Sequence, residues 1–404
     1  MKKLIALLLA VMMVLSLVAC GTKNEEPAEE TAEESVEETK EETVEEAVEE
    51  ETEEAAEESE EAEEVVEETE EAAEETVKIA FVSGLGGIED KSFNQFSYEG
   101  VIRFAEANGV EHTAYQVAED TEAAHEEAIN QAISEGAKVV VMAGKQFCTP
   151  LSNLCEANAE VLFLALDATF EDLTVETIPA NVALISYQEE QAGYLAGYAA
   201  VKEGYKSLGF MGGDDIAPVV RYGYGFVQGA EAAAAELELT DVTVNYWYAD
   251  TFTANEATDA KMNEWYSNGT EVVFACGSSI YESCLTPAEA NGGKIIGVDV
   301  DQSAVSELII TSAVKDLANS VEQALTSAHD NSWAWPTVYA GSCQFLGAAN
   351  GCIGLPMITS HFEVFTAAEY DSIYASMASG GIAVDNSGDP AVHPETVNVT
   401  VDWQ

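Results

Sequence analysis

Along most of residues 77–335 the chain alternates short, continuous apolar runs with stretches whose apolar positions recur every three or four residues. Ten runs read as strands: residues 77–84, 112–118, 138–144, 161–167, 181–187, 207–213, 242–250, 272–277, 294–299 and 308–314. They are rich in Val, Ile and aromatics, and most end at Gly or Asp, so they fit strands buried on both faces. The segments between them, such as 93–109, 121–136, 191–204 and 221–237, have the spacing of helices with one apolar face. Strand and helix in strict alternation predict parallel sheets covered by helices, an α/β fold. Ten strands are too many for one comfortable doubly wound sheet, and residues 186–191 form a polar break near the middle. Two similar lobes are therefore expected. Parallel sheets bind ligands outside the carboxyl ends of their strands, so Gly84, Gly144, Asp167, Gly213, Asp250, Gly277 and Asp299 mark where function should sit.

The first 76 residues follow other rules. Residues 1–20 have a basic start at Lys2 and Lys3, an apolar run over 4–19, and then Cys20, which predicts a signal peptide. Its end, Leu17-Val18-Ala19-Cys20, resembles a bacterial lipobox, which implies lipidation of Cys20 and a membrane anchor. The polar stretch that follows, residues 21–76, is Glu-rich and is expected to be a disordered linker. Residues 24–76 carry 29 Glu, one Lys and no aromatic residue, too little apolar surface to offset the entropy of ordering. A flexible coil of that length spans roughly 40 Å, and self-repulsion extends it.

Charge narrows the function. The chain holds 75 acidic and 15 basic residues, a formal net charge of -60, which excludes binding to a nucleic-acid backbone by counterion release. Six cysteines follow Cys20 in close pairs: Cys148 and Cys155, Cys276 and Cys284, Cys343 and Cys352. An exported domain permits three local disulfides, and six buried thiols fit the sequence equally well. There is no CxxC, and His112, His125, His329, His361 and His393 lie outside any zinc-ligand spacing, so neither metal nor cofactor is expected. The turn at Gly84-Leu85-Gly86 begins like a dinucleotide fingerprint, but its third glycine is missing and Glu89 and Asp90 would repel a pyrophosphate.

The same turn continues as residues 86–95, GGIEDKSFNQ, and this segment resembles the basic membrane lipoprotein family, the purine-nucleoside-binding lipoproteins of ABC importers. The resemblance continues in order through residues 178–197, 217–230, 295–302 and 310–315 and covers nearly all of 77–404. It implies a type I periplasmic-binding-protein fold of two Rossmann-like lobes with a hinge. Residues 77–187 plus about 308–335 would form lobe 1, and 188–307 plus about 336–404 lobe 2. It also implies a nucleoside clamped between Phe93 and Phe252, a ribose held by Asp299 with Lys315 and the backbone of Gly277 beside it, and Asp167 as a further polar ligand. Asn94 or Asp90 would reach the rim of the base. A purine has two apolar faces and a polar rim, so one aromatic from each lobe suits it; a vicinal diol offers two donors to one carboxylate.

Two positions depart from the family pattern: Gly84 stands where an Asp is usual, and Lys145 sits in a changed glycine-aromatic segment. The departure at Gly84 leaves the preferred base open. The expected function is an extracytoplasmic, lipid-anchored, monomeric solute-binding protein that delivers a nucleoside to an ABC permease. The alternatives are another small solute, such as a sugar or a modified nucleoside, and a nucleoside hydrolase using Glu89, Asp90 and Asp167. No Ser-His-Asp order, metal cluster or lone activated cysteine supports the enzyme, and a stacking and diol-gripping site accounts for the polar residues without chemistry.

Overall fold

A computed structural model describes residues 77–404. The expected signal peptide, with Cys20, and the Glu-rich segment of residues 21–76 lie outside the described residues. All ten expected strands form: β1 Lys78–Ser83, β2 Glu111–Gln116, β3 Ala137–Ala143, β4 Leu162–Leu166, β5 Val182–Tyr187, β6 Ser207–Gly212, β7 Val242–Tyr248, β8 Val272–Cys276, β9 Lys294–Asp299 and β10 Ile309–Lys315. Three more, β11 Ser342–Leu346, β12 Ile353–Gly354 and β13 Val399–Trp403, were not expected. The helices are α1 Phe93–Asn108, α2 Glu122–Ser134, α3 Cys148–Leu154, α4 Glu189–Glu203, α5 Ala217–Glu236, α6 Glu256–Ser267, α7 Glu282–Asn291, α8 Leu317–Asp330 and α9 Ala367–Ala378. None of the described helices is long and apolar enough to cross a membrane.

The strands form two sheets. The first runs β11, β5, β4, β3, β1, β2 and the second β12, β10, β9, β8, β6, β7, β13. Every pairing is parallel except that of β12 with β10. β3, β4, β5 and β8 are buried along almost their whole length, as continuous apolar strands should be.

The lobe boundaries differ from those read in the sequence. β10 pairs with β9 through Ile309↔Ile295 and Val314↔Asp299, so residues 309–315 belong to the second sheet and not to lobe 1. β11 pairs with β5 through Ser342↔Ala183, so residues 342–346 belong to the first sheet and not to lobe 2. The parallel edge that β10 extends is that of β9, while β11 later extends that of β5. The chain thus passes between lobes three times: after β5, after β10 and after β11.

Two glycine pairs decide how α4 and α5 meet. A β-carbon at Gly193 or Gly197 would collide with the backbone of Tyr222 or Phe226, and one at Gly225 or Gly229 with that of Glu190 or Tyr194. Four-residue spacing puts each pair on one face of its helix, so the two backbones can touch. This contact fixes the first turn of α4, with Glu189 and Glu190, against Arg221 of α5.

The six cysteines are free thiols. Cys148 opens α3 and Cys155 caps its end, and seven residues of helix separate their backbones by about 10 Å, beyond the reach of a disulfide. Burial pushes the Cys148 thiol up to about 12 and those of Cys343 and Cys352 up to about 11. Alkylation with iodoacetamide at about pH 8 should therefore modify few or none of these thiols in the folded protein and all six after denaturation. A non-reduced mass short by two hydrogens per bridge would contradict this.

Candidate ligand-binding cleft

Four non-glycine residues at strand ends adopt positive φ: Asp167 after β4 (49°), Asp250 after β7 (53°), Ser278 after β8 (23°) and Asp299 at the end of β9 (63°). An L-residue there is strained, and strain held in place by a fold gathers at functional sites. All four stand at carboxyl ends of strands, and two of them meet around one lysine.

Lys315, the last residue of β10, is almost fully buried. Its Nζ lies 2.7 Å from Asp167 Oδ2 in the first lobe, 3.4 Å from Glu189 Oε1 at the first crossing and 3.5 Å from Asp299 Oδ1 in the second lobe. Burial alone would pull the ammonium down, but Asp167, Asp299 and Glu189 together raise it well above its usual value. Burial raises Asp299 and Glu189 in turn, opposed by Lys315 for the first and by Arg221 and Lys315 for the second. The Arg221 Nε donates to Glu189 Oε2 at 2.6 Å, and Nη2 donates to Ser186 Oγ at 3.3 Å. The Tyr222 hydroxyl lies 3.4 Å from Asp299 Oδ1 and 3.2 Å from the Ala313 carbonyl.

Three carboxylates against two cations leave this cluster one negative charge in surplus, before Glu190 is counted. A phosphate is disfavoured there, whereas a donor is wanted: Asp167 Oδ1 is buried and accepts no hydrogen bond among the described residues. The ring of Phe93, the first residue of α1, lies 5.3 Å from Lys315 Nζ, and those of Tyr187 and Tyr222 at 5.3 and 5.6 Å.

Phe252 lies across the ends of β6 and β8. A β-carbon at Gly213 would sit 2.5 Å from its ring and one at Gly277 3.0 Å, so the two glycines form the shelf that carries it. Its carbonyl accepts from Ser279 N at 3.1 Å, which ties the loop to the turn after β8. The structure therefore gathers Phe93, Asp167, Asp299 and Lys315 around one point and seats Phe252 on Gly277 along the same edge of the second sheet.

Asp90 and Asn94 are engaged with each other and with the start of α1. The Asp90 carboxylate accepts from the backbone of Ser92, Asn94 and Gln95, each at 3.0 Å, and from Asn94 Nδ2 at 2.7 Å. That commits Asp90 to opening α1, where four amides would otherwise lack partners, and it engages the Asn94 amide with it.

Glu189, Arg221, Tyr187 and Tyr222 were not singled out in the sequence. Arg221 is one of only two arginines in the chain, and a base so scarce inside an apolar helix was the available signal. Beside Asp299 and Lys315 opens a cavity of about 340 Å³, walled also by Phe96 and Arg103 of α1 and by Leu355 and Tyr370. A larger one, about 580 Å³, lies at the opposite, amino ends of the second sheet among Glu203, Glu271, Lys294 and Glu307. There Glu203 and Glu271 already accept backbone amides, so they brace loops.

Comparisons with known proteins show the family and the fold. The family described as "ABC transporter substrate-binding protein PnrA-like" (Bmp) matches residues 76–375. "Basic membrane protein A1" of Borrelia garinii subsp. bavariensis is 27% identical over 242 residues, 58% of this chain and 68% of that protein. "ABC transporter nucleoside-binding protein BmpA" of Lactococcus lactis subsp. cremoris is 24% identical over 283 residues, 65% and 78%. An ABC transporter solute-binding protein from Conexibacter woesei superposes with a TM-score of 0.62 at 22% identity over 77% of this chain and 99% of its own, which establishes the fold. With three quarters of its length matched in this way, the chain belongs to the Bmp family of PnrA-like ABC transporter substrate-binding proteins.

Proposed function

We propose that the protein captures a nucleoside outside the membrane and presents it to an ABC permease, as a monomer anchored through a lipid on Cys20. The observation that carries this reading is the cluster of Asp167 and Asp299 about Lys315, one carboxylate from each lobe with a buried acceptor left over. Such a site takes hydroxyl donors, and a ribose diol supplies them to both lobes at once. Phe93 beside the lysine and Phe252 on its glycine shelf are the aromatic surfaces available to a base. Lobes linked by three crossings can close on a ligand by hinge motion, and the closed form is what a permease would recognise. The binding protein releases its ligand unchanged.

Thermal-shift titration across nucleosides, free bases, ribose and nucleoside 5′-monophosphates tests this. Nucleosides should raise the melting temperature and be recovered intact; monophosphates should bind far more weakly, because the surplus charge is negative. Binding of free sugars with no response to any nucleoside would replace the reading with a sugar-binding one. Within the nucleoside reading, Phe252→Ala should weaken binding by about 1–3 kcal/mol, roughly 5- to 150-fold, while leaving the unliganded melting temperature nearly unchanged. A large loss of stability at unchanged affinity would return Phe252 to a packing role.

A further inference from the structure

On the carboxyl edge of the first sheet β4, β3 and β1 stand side by side. β4 is followed by Asp167, already placed at the cleft, and the Gly144 amide donates to the Leu166 carbonyl at 3.1 Å, which ties the end of β3 to that of β4. β1 is followed by Gly84, which brings only backbone to this edge. β3 runs through Gly144, at φ 111°, into the single turn Lys145–Phe147.

The Gln146 side chain folds back over these strand ends. Its Nε2 donates to the Ala143 carbonyl at 2.8 Å, and its carboxamide lies so close over Gly144 that a β-carbon there would collide with Oε1. A β-carbon at Gly84 would lie 3.2 Å from Nε2, so Gln146 fills the space into which a side chain at 84 would point. Gln146 is exposed, and among the described residues its Oε1 accepts no hydrogen bond. One amide hydrogen and one carbonyl oxygen are thus free beside the edge on which Asp167 stands.

We propose that Gln146 reads the polar edge of a purine base and sets which purine nucleosides the protein accepts; this rests on the nucleoside reading above. A carboxamide presents a donor next to an acceptor. With Nε2 held in place, the pair matches O6 and N1–H of a 6-oxopurine and, with the base turned over, N1 and the amino group of a 6-aminopurine, so it tolerates both. A carboxylate at the same place accepts only. It matches the two adjacent donors of guanine, N1–H and the 2-amino group, and faces repulsion from O6 of hypoxanthine, which lacks the second donor.

The test titrates guanosine, inosine and adenosine calorimetrically into the mature full-length chain and its Gln146→Glu and Gln146→Ala variants. Gln146→Glu should shift the guanosine-to-inosine affinity ratio toward guanosine by about tenfold or more, the discrimination a bidentate base contact gives. Gln146→Ala should weaken all three ligands, with a much smaller change of ratio. Unliganded melting temperatures equal to wild type would show that both variants fold. Ratios unchanged in Gln146→Glu, or a wild type that binds pyrimidine nucleosides alone, would overturn the inference while leaving nucleoside capture standing. A wild type that binds no nucleoside would overturn both.

Discussion

Replacing Lys315 with methionine is expected to destabilise the protein by about 3–5 kcal/mol, the usual cost of removing one partner from a buried ion pair. The lysine sits within 3.5 Å of a carboxylate oxygen from each of Asp167, Glu189 and Asp299, and its side chain is almost wholly out of water. Without it, Arg221 is the cation left in direct contact with Glu189, and among the described residues no cation pairs with Asp167 or Asp299, the latter keeping only the Tyr222 hydroxyl. Those two carboxylates must then repel across the cleft or take up protons. Urea denaturation at neutral pH would measure the loss, and it should shrink as the pH falls and the carboxylates are neutralised. Nucleoside affinity should fall as well, because the two acids would no longer be held in one geometry. A variant within about 1 kcal/mol of wild type, with a flat pH profile, would mean that the cluster is solvated and not the buried network seen here.

The opposite sign is expected for Glu190→Gln. Glu190 is buried in the first turn of α4, its Oε2 has no partner among the described residues, and burial pushes its carboxyl up from 4.5 to about 7. The groups facing it are Glu189 on its own helix, which raises it further, and Arg221 of α5 and the Asn386 side chain, which lower it less than burial raises it. Because its folded value lies above its unfolded one, the folded state holds this proton more tightly. Stability from Glu190 is therefore fully present below about pH 4.5, falls as the pH rises to about 7, and is level beyond. The whole change is on the order of 3 kcal/mol. A neutral amide of the same shape removes it, so the variant should gain on wild type between about pH 5 and pH 8 and be the more stable at pH 8. Denaturant titrations across that range decide the matter: a difference that does not vary with pH would show that Glu190 is ionised and solvated throughout.

Much of this molecule was legible in its sequence, and the parts that were not share a physical reason. Strands such as residues 138–144 and 161–167 are apolar without interruption, and no alternative to a covered parallel sheet buries them. Asp167 and Asp299 could be marked because a strand end in an α/β fold faces the ligand whatever the partner strands are. β11, with the sequence SCQFL, went unseen because an edge strand that is half exposed has no continuous apolar signature, and β12 is two residues long. The allotment of β10 and β11 to sheets was likewise beyond the sequence, since pairing depends on which edge is vacant once the other strands have assembled. Local composition offered cysteine pairs, and the rise of a single helix separated the first of them. Asp90, expected at the rim of the base, also caps α1, a role its sequence position alone did not reveal, because the backbone amides of Ser92, Asn94 and Gln95 reach it. Glu189 and Arg221 are 32 positions apart, and Lys315 reaches Asp167 across 148. Attraction between such charges is set by distance in space and by exclusion of water, and both arise only when two sheets fold toward each other and α4 closes on α5 through its glycines. Ten of the strands and the chemistry at their ends follow from local pattern; which of those ends meet is a matter of tertiary packing.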